Sequence, residues 1–213
     1  MANYEKLDHW SLKAQKEGYP ARSVYKLKEM SGKFGLFRPP AGSVALKALD
    51  LGAAPGSWSL YALRKLEKRC LLTAVDLAPL SRQYDTGLFD GENFCFIQGD
   101  ITAAVIREAI RARGPFNLVI SDAASATTGN RSVDTLRSLA LAEAVLEYAE
   151  TFLEPGGNLV VKVFQGGDTA TILKRIRELF NTGKSFKPEA CRSESFETYY
   201  LGLGRNRNIG QLI

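Results

Sequence analysis

The sequence predicts an α/β fold: one domain, built on a mostly parallel seven-stranded sheet with helices on both faces. Three observations predict it. Short apolar runs alternate with longer stretches of helical periodicity. A glycine-rich turn, Gly52 to Gly56, separates the first run from the first such helix. Asp50, Asp76, Asp100, Asp122 and Lys162 stand at or near the ends of successive runs, and open parallel sheets bind their ligands beyond those ends.

The elements follow in order. Residues 1–46 form a basic helical segment. Lys47–Leu51 is a short buried strand that stops at Gly52, and Ser57–Glu67 follows as a helix with Leu60, Leu63 and Leu66 at helical spacing. Leu71–Val75 is the second strand, ending in Asp76, and Phe94–Ile97 the third, running into Gly99-Asp100. Thr102 is placed to cap a helix over Ala103–Ala112. Phe116–Ile120 is the fourth strand. Val133–Leu153 is a long helix, stopped by Glu154-Pro155-Gly156-Gly157. Asn158–Phe164 is the fifth strand, Thr169–Phe180 a helix, and Lys184–Pro188 and Thr198–Leu203 two further strands. There is no internal repeat, low-complexity tract or Gly/Ser linker.

Composition narrows the function classes. At 213 residues, 45% apolar and 24% charged, the chain suits one soluble globular domain. No window reaches the roughly 20 apolar residues of a membrane helix. The N-terminus lacks the apolar core and cleavage site of a signal peptide. Cys70, Cys95 and Cys191 are scattered, and His9 is the sole histidine, so neither a disulfide framework nor a metal site is expected. Free thiols in a reducing cytoplasm follow, with Cys95 as core filling. The net charge of +5 is unevenly spread. Residues 1–47 hold nine Lys/Arg against four Asp/Glu, residues 48–160 ten against fourteen, and residues 161–213 nine against five. Basic ends around an acidic middle suit a polyanion at the ends and a hydroxyl-rich or cationic ligand in the middle; solvated faces alone could also produce this pattern.

The turn Asp50-Leu51-Gly52-Ala53-Ala54-Pro55-Gly56-Ser57-Trp58 lies where a nucleotide-type ligand binds. It fits a pyrophosphate poorly. Ala54 stands where the dinucleotide pattern has its second glycine, and Pro55 removes a backbone donor. Asp76, twenty residues past Gly56, can accept both hydroxyls of an adenosine ribose. NAD and S-adenosylmethionine both carry that ribose, so Asp76 does not separate them. Asp100 could receive an adenine amino group. Trp58 is either a ligand platform or a core residue.

The chain resembles the FtsJ, or RrmJ-type, family of ribose 2′-O-methyltransferases. The resemblance starts at Asp8 and runs through Ala14–Leu27, then Asp50–Ser59, Ser121-Asp122 and Pro155-Gly156-Gly157. It is most distinctive at Val161-Lys162-Val163-Phe164-Gln165-Gly166, and it ends in Arg192-Ser193-Glu194-Ser195-Phe196-Glu197-Thr198-Tyr199. It implies the Rossmann-like class I methyltransferase form of the fold, with S-adenosyl-L-methionine as cofactor and S-adenosyl-L-homocysteine as product. It also implies a Lys-Asp-Lys-Glu catalytic set at Lys26, Asp122, Lys162 and Glu197. Cofactor contacts are expected at Gly56, Trp58, Asp76, Asp100 and Asp122, with the turn residues Asp50, Gly52, Ala53 and Pro55 beside them. Two departures stand out: Ser57 replaces a second glycine, and Ser125-Ala126 replace a Pro-Asn pair. The second puts substrate preference more in question than catalysis.

The chemistry asks for these residue types. Methyl transfer from a sulfonium is an in-line displacement by the 2′-oxygen, and that hydroxyl is a poor nucleophile until its proton is loosened. A lysine serves as the base only where desolvation or a second cation weakens its hold on its own proton. Lys162 ends an otherwise apolar strand, and Lys26 could supply the second cation. Asp122 would oppose that effect but orient the ammonium, and Glu197 would orient Lys26 or the ribose. Taken alone, Lys26 reads as a surface lysine and Glu197 as uninformative.

The basic ends point to RNA. Lys13, Lys16, Arg22 and Lys28, with Lys6, Lys26 and Lys33, are interleaved with Trp10, Tyr19 and Tyr25. Such cations neutralise phosphates, and such aromatics stack on unpaired bases. Lys184, Lys187, Arg192, Arg205 and Arg207 extend the surface. The resemblance implies ribosomal RNA, within a large subunit or its precursor, with a uridine of the A loop as target. The anticodon loop of transfer RNA is the alternative. A catalytically silent RNA-binding assembly factor and a nicotinamide oxidoreductase are the readings from other classes. No membrane partner is expected.

Overall fold

A computed structural model describes residues 8–126, 128–166, 168–192 and 194–206; Lys6, Ser193 and Arg207 lie outside them. Helices α1 (His9–Lys16) and α2 (Val24–Phe34) precede a sheet of seven strands. The alternation then runs β1 (Leu46–Leu51), α3 (Ser57–Leu66), β2 (Cys70–Asp76), β3 (Phe94–Gln98), α4 (Ala104–Arg111), β4 (Phe116–Ser121), α5 (Arg131–Phe152), β5 (Leu153–Phe164), α6 (Thr169–Leu179), β6 (Phe180–Phe186) and β7 (Glu197–Arg205). The spatial order is β3-β2-β1-β4-β5-β7-β6. The first five strands are parallel, and β7 runs antiparallel between β5 and β6. No helix of the described residues is long and apolar enough to cross a membrane.

Strand alternation divides the core in two. Ala48, Leu118, Ile120, Val160, Tyr199 and Leu201 pack with α2 and α3 on one face. Leu49, Leu51, Val119, Leu159, Val161 and Val163 pack with α4, α5 and α6 on the other. The prediction of a sheet covered on both faces is therefore realised, with the N-terminal helices forming part of one layer.

Several boundaries differ from those expected, each for a physical reason. Thr102 does not cap α4; its N–H and hydroxyl both donate to Asp100, and Ala103 holds the cap position without a side-chain bond. Helix α5 starts earlier than Val133 because Asn130 Oδ1 accepts the N–H groups of Ser132 and Val133. It ends at Phe152, ahead of the Pro-Gly-Gly stretch, because Leu153 already pairs with Phe116 of β4. Strand β6 begins four residues before Lys184, where Phe180 pairs with Arg205, and Pro188 falls outside it. Cys95 is only half-buried, since β3 is an edge strand; Cys70 and Cys191 are the buried thiols.

The sheet's ligand-facing edge depends on a close approach of the β1 and β4 tips. Gly52 has φ +77°, and a Cβ there would meet Ala123 Cα at 2.4 Å. Backbone at that distance cannot yield as a flexible side chain would. Gly52→Ala should lower the unfolding free energy by about 1–3 kcal/mol, measured by urea denaturation. Unchanged stability would show that the two tips do not meet in this way.

Candidate active site

A cleft of about 320 Å³ opens where β1 to β4 end. Of the turn and strand-end residues expected at a cofactor, Gly52, Asp76, Asp100 and Asp122 line it. Asp76 uses one carboxylate oxygen to hold Ala54 N–H (2.8 Å) and the other to hold Ala78 N–H (2.9 Å). Each oxygen keeps lone-pair capacity for a ligand hydroxyl. The Thr102 N–H and hydroxyl, both 2.8 Å from Asp100 Oδ1, hold the Asp100 carboxyl below its usual range. Apolar Leu77, Ile101 and Leu141 complete the cleft with Ala54, Gly99, Ala123 and Ala124. Leu77, Ile101 and Leu141 were not singled out from sequence; Leu77, an apolar residue directly after a strand-end acid, is 69% exposed. Carboxylates for a diol and an amino group, with apolar walls for a flat ring, are a donor set that suits an adenosine.

The remaining turn residues do not line this cleft. Gly52 and Ala53 N–H both donate to Val75 O, tying β1 to β2. Pro55 O accepts Ser81 N–H, and Gly56, at φ +106°, lies against the Phe89 ring. Trp58 is a core residue: it is 2% exposed and its indole N–H donates to Ser23 O at 2.8 Å. Ser57, the departure from the glycine pattern, has a matching role. Its hydroxyl accepts Ala21 N–H (2.8 Å) and lies within reach of Ala21 O (3.2 Å). The start of α3 thus clamps residues 21–23, which lead into α2.

Asp50 is wholly buried behind the turn. Ser59 Oγ donates to one oxygen at 2.7 Å, and the other has no partner among the described residues. Burial pushes its carboxyl up to about 7; the Ser59 bond opposes the rise, and the charges of Asp122 and Asp76 add to it.

The four residues of the expected catalytic set come together in two ion pairs. Lys26, from α2, lies 2.9 Å from Glu197. Lys162, from β5, lies 3.1 Å from the Asp122 carboxylate and donates to Asp122 O at 2.6 Å. Both ammoniums belong to lysines only 8% exposed. Antiparallel register explains the meeting: Lys162 pairs with Tyr199 and Phe164 with Glu197. Alternation then puts Lys162, Tyr199 and Glu197 on the sheet face that α2 covers. Tyr199 was not singled out from sequence; its paired position opposite Lys162 appears only with the strand register. Its hydroxyl donates to Asp122 at 2.6 Å, and its ring lies 5.8 Å from Lys26 Nζ.

Burial opposes the charge on Lys26, but Asp122 and Glu197 outweigh it and leave its pKa raised. Burial likewise opposes the charge on Asp122, and Lys162, Lys26 and the Tyr199 hydroxyl outweigh it, leaving that pKa lowered. Burial and the neighbouring carboxylates push the Tyr199 phenol well above its usual range, so it stays a donor.

Lys26 and Glu197 also line a second concavity of about 460 Å³, with Arg22, Ser23, Arg192 and Ser195 on its walls. The four expected RNA contacts divide. Lys13 and Lys16 are exposed on α1 and form no ion pair among the described residues. Arg22 binds Asp8 and Ala190 O, and Lys28 binds Glu17, so both cations are already partnered.

The FtsJ-like methyltransferase family model matches residues 19–205. A relative in Treponema denticola, the ribosomal RNA large subunit methyltransferase E, is 53% identical over 94% of this chain and 96% of its own length. Among solved structures, a ribosomal RNA methyltransferase of Plasmodium falciparum superposes with a TM-score of 0.71 at 23% identity, covering 88% of this chain and 98% of that one. Fibrillarin of Aeropyrum pernix, solved with bound S-adenosyl-L-methionine, gives 0.57 at 16% identity over 85% of this chain and 76% of that one. These last two likenesses are of fold.

The buried Asp50 makes stability depend on pH. Its folded value, about 7, is above the ordinary 3.8. Below about pH 4 the folded and unfolded states both hold the proton. Between about 4 and 7 the folded state alone holds it, so this contribution to stability is lost as pH rises. Asp50→Asn should therefore match the wild type at pH 4 and exceed it at pH 8, by at most about 4 kcal/mol. Denaturant titrations at the two pH values check this; an equal difference at both would remove the linkage.

Proposed function

The chain belongs to the FtsJ-like methyltransferase family, and from that premise we propose that it methylates a ribose 2′-hydroxyl of large-subunit ribosomal RNA, a uridine of the A loop being the target. One observation carries the reading. The Lys162–Asp122 and Lys26–Glu197 pairs stand between the two concavities, with Asp122 lining the first and Lys26 and Glu197 the second. One side then takes the methyl donor and the other the acceptor ribose.

S-adenosylmethionine, when bound, supplies an electrophilic methyl group on a positively charged sulfur. Asp76 would hold its ribose diol, Asp100 its adenine amino group, and Leu77, Ile101 and Leu141 the faces of the base. Gly52, whose missing side chain lets the β1 and β4 tips close together, would keep backbone at the cleft wall. Asp50, Ala53, Pro55, Gly56 and Trp58 act behind this wall, shaping the turn.

Lys162 is the residue placed to take the hydroxyl proton. In the neutral amine that this step needs, the two N–H bonds go to Asp122, which leaves the lone pair for the acceptor's proton. Asp122 orients it, and Tyr199 fixes Asp122. Lys26, held by Glu197, would sit against the ribose or its 3′-phosphate. Positioning of this kind supplies much of the rate in a reaction between two bound partners. The basic segment over residues 1–46, through Lys13 and Lys16 above all, would meet phosphates away from the reacting ribose. Arg22 and Lys28, already partnered, would serve chiefly to hold that segment in shape. Loss of one 2′-O-methyl mark from the A loop in cells lacking the protein would support the target; an unchanged ribosomal RNA methylation map would refute it.

Asp76→Ala should weaken S-adenosylhomocysteine binding by about 1–3 kcal/mol, read by calorimetry; full affinity would remove Asp76 from the ligand. Lys162→Ala should cut single-turnover methyl transfer by at least about 10²-fold with cofactor and RNA affinity kept. Lys162→Arg should not rescue it, because guanidinium holds its proton too tightly. A near-normal rate in the arginine variant would replace proton removal with simple charge and hydrogen bonding to the ribose.

A further inference from the structure

A third concavity, also about 460 Å³, opens on the two N-terminal helices. Its aromatic members are Trp10 and Tyr25, whose rings lie 5.0 Å apart at 44°. Lys13 Nζ is 5.4 Å from the Trp10 ring centre and 4.9 Å from that of Tyr25, and Lys28 Nζ is 5.0 Å from Tyr25. Glu17, Glu29 and Glu189 complete the lining. Tyr25 is only 5% exposed, and its phenol is turned toward the Glu17 carboxylate.

The charges decide what fits. Three carboxylates face two lysines, and Lys28 is already paired with Glu17. A phosphate inside the groove would meet net negative charge, while Lys13, exposed on α1, remains available to a phosphate outside it. A flat, neutral group that stacks on an aromatic ring and offers N–H donors to a carboxylate meets none of that opposition. The position decides where such a group comes from. Helix α2 supplies Tyr25, Lys28 and Glu29 to this groove and Lys26 to the acceptor pocket, and Arg22 just before it lines that pocket too. The turn after Pro188 likewise gives Glu189 to one and Arg192 to the other. The two concavities are therefore neighbours along one surface.

We propose that this groove is a base-binding subsite. It takes an unpaired nucleobase with an exocyclic amino group from the substrate RNA, near the methylated nucleotide, stacked on Trp10 with its amino edge toward Glu29 and Glu189. The proposal rests on the RNA methylation reading above and adds a second point of recognition to it.

The chain has two tryptophans, and Trp58 is 2% exposed in the core, so ligand-dependent quenching reports on Trp10. GMP and AMP should quench the wild-type emission where UMP does not, and Glu189→Ala should weaken GMP quenching about fivefold. Equal quenching by UMP, or no quenching by any nucleotide, overturns the assignment. With substrate RNA, Trp10→Ala should raise KM about tenfold, the loss of one base stack, while kcat and S-adenosylhomocysteine affinity stay within about twofold. Trp10→Phe should restore KM. An unchanged KM in Trp10→Ala overturns the subsite. So does a KM raised only on assembled subunits and not on protein-free RNA, which would give the groove to a protein partner. A wild type that methylates no RNA would refute the enzymatic reading, and the nucleotide titration would still decide the groove.

Discussion

Two ammonium groups are buried in this site, and a buried ammonium is sustainable only beside a carboxylate. Lys26 and Lys162 come from different layers of the fold, one from α2 and one from the sheet. Each finds its own acid: Glu197 for Lys26 and Asp122 for Lys162. The four side chains are therefore neutral as a set, although each alone would be costly. That balance requires α2 to bring Lys26 to Glu197. Ser57 and Trp58 hold it there by bonding the backbone of residues 21–23.

Asp122 connects the parts of the site. It ends the β4 segment, lines the cleft beside Asp76 and Asp100, accepts the Tyr199 hydroxyl and holds Lys162. Its position depends on the β1 and β4 tips meeting at Gly52 and Ala123. A change at that contact would reach both the cleft and the ion pairs. The lowered pKa of Asp122 and the raised pKa of Lys26 are two expressions of the same charge balance. Asp50 shows the contrast. It lies close behind with no cation paired to it among the described residues, and burial drives its carboxyl the other way.

The N-terminal helices carry a similar division. Their cations looked alike in the sequence, but the fold commits them differently. Arg22 and Lys28 are bound to acids, while Lys13 and Lys16 remain exposed on α1. The aromatics among them also separate. Tyr19 and Tyr25 are buried, and Trp10 stays half-exposed beside the groove.

Much was legible in the sequence because the relevant signals are local. Alternating apolar runs gave the strands, helical spacing gave α3, and the acids at strand ends marked where Asp76, Asp100 and Asp122 would meet a ligand. The motif match brought Lys26 and Glu197 into the set, which their surroundings in sequence alone did not justify. What the sequence left open depended on contacts between distant segments. The placement of β7 between β5 and β6 put Tyr199 opposite Lys162, and no local pattern encodes a register. Packing turned Trp58 into the core and Asp50 behind the turn, because a side chain at a strand end or helix start can serve either side until its neighbours are in place. Element type and candidate chemistry were set by residue spacing along the chain; the pairing of each acid with each base was set by the tertiary fold, since only there do residues as far apart as Lys26 and Glu197 share one buried volume.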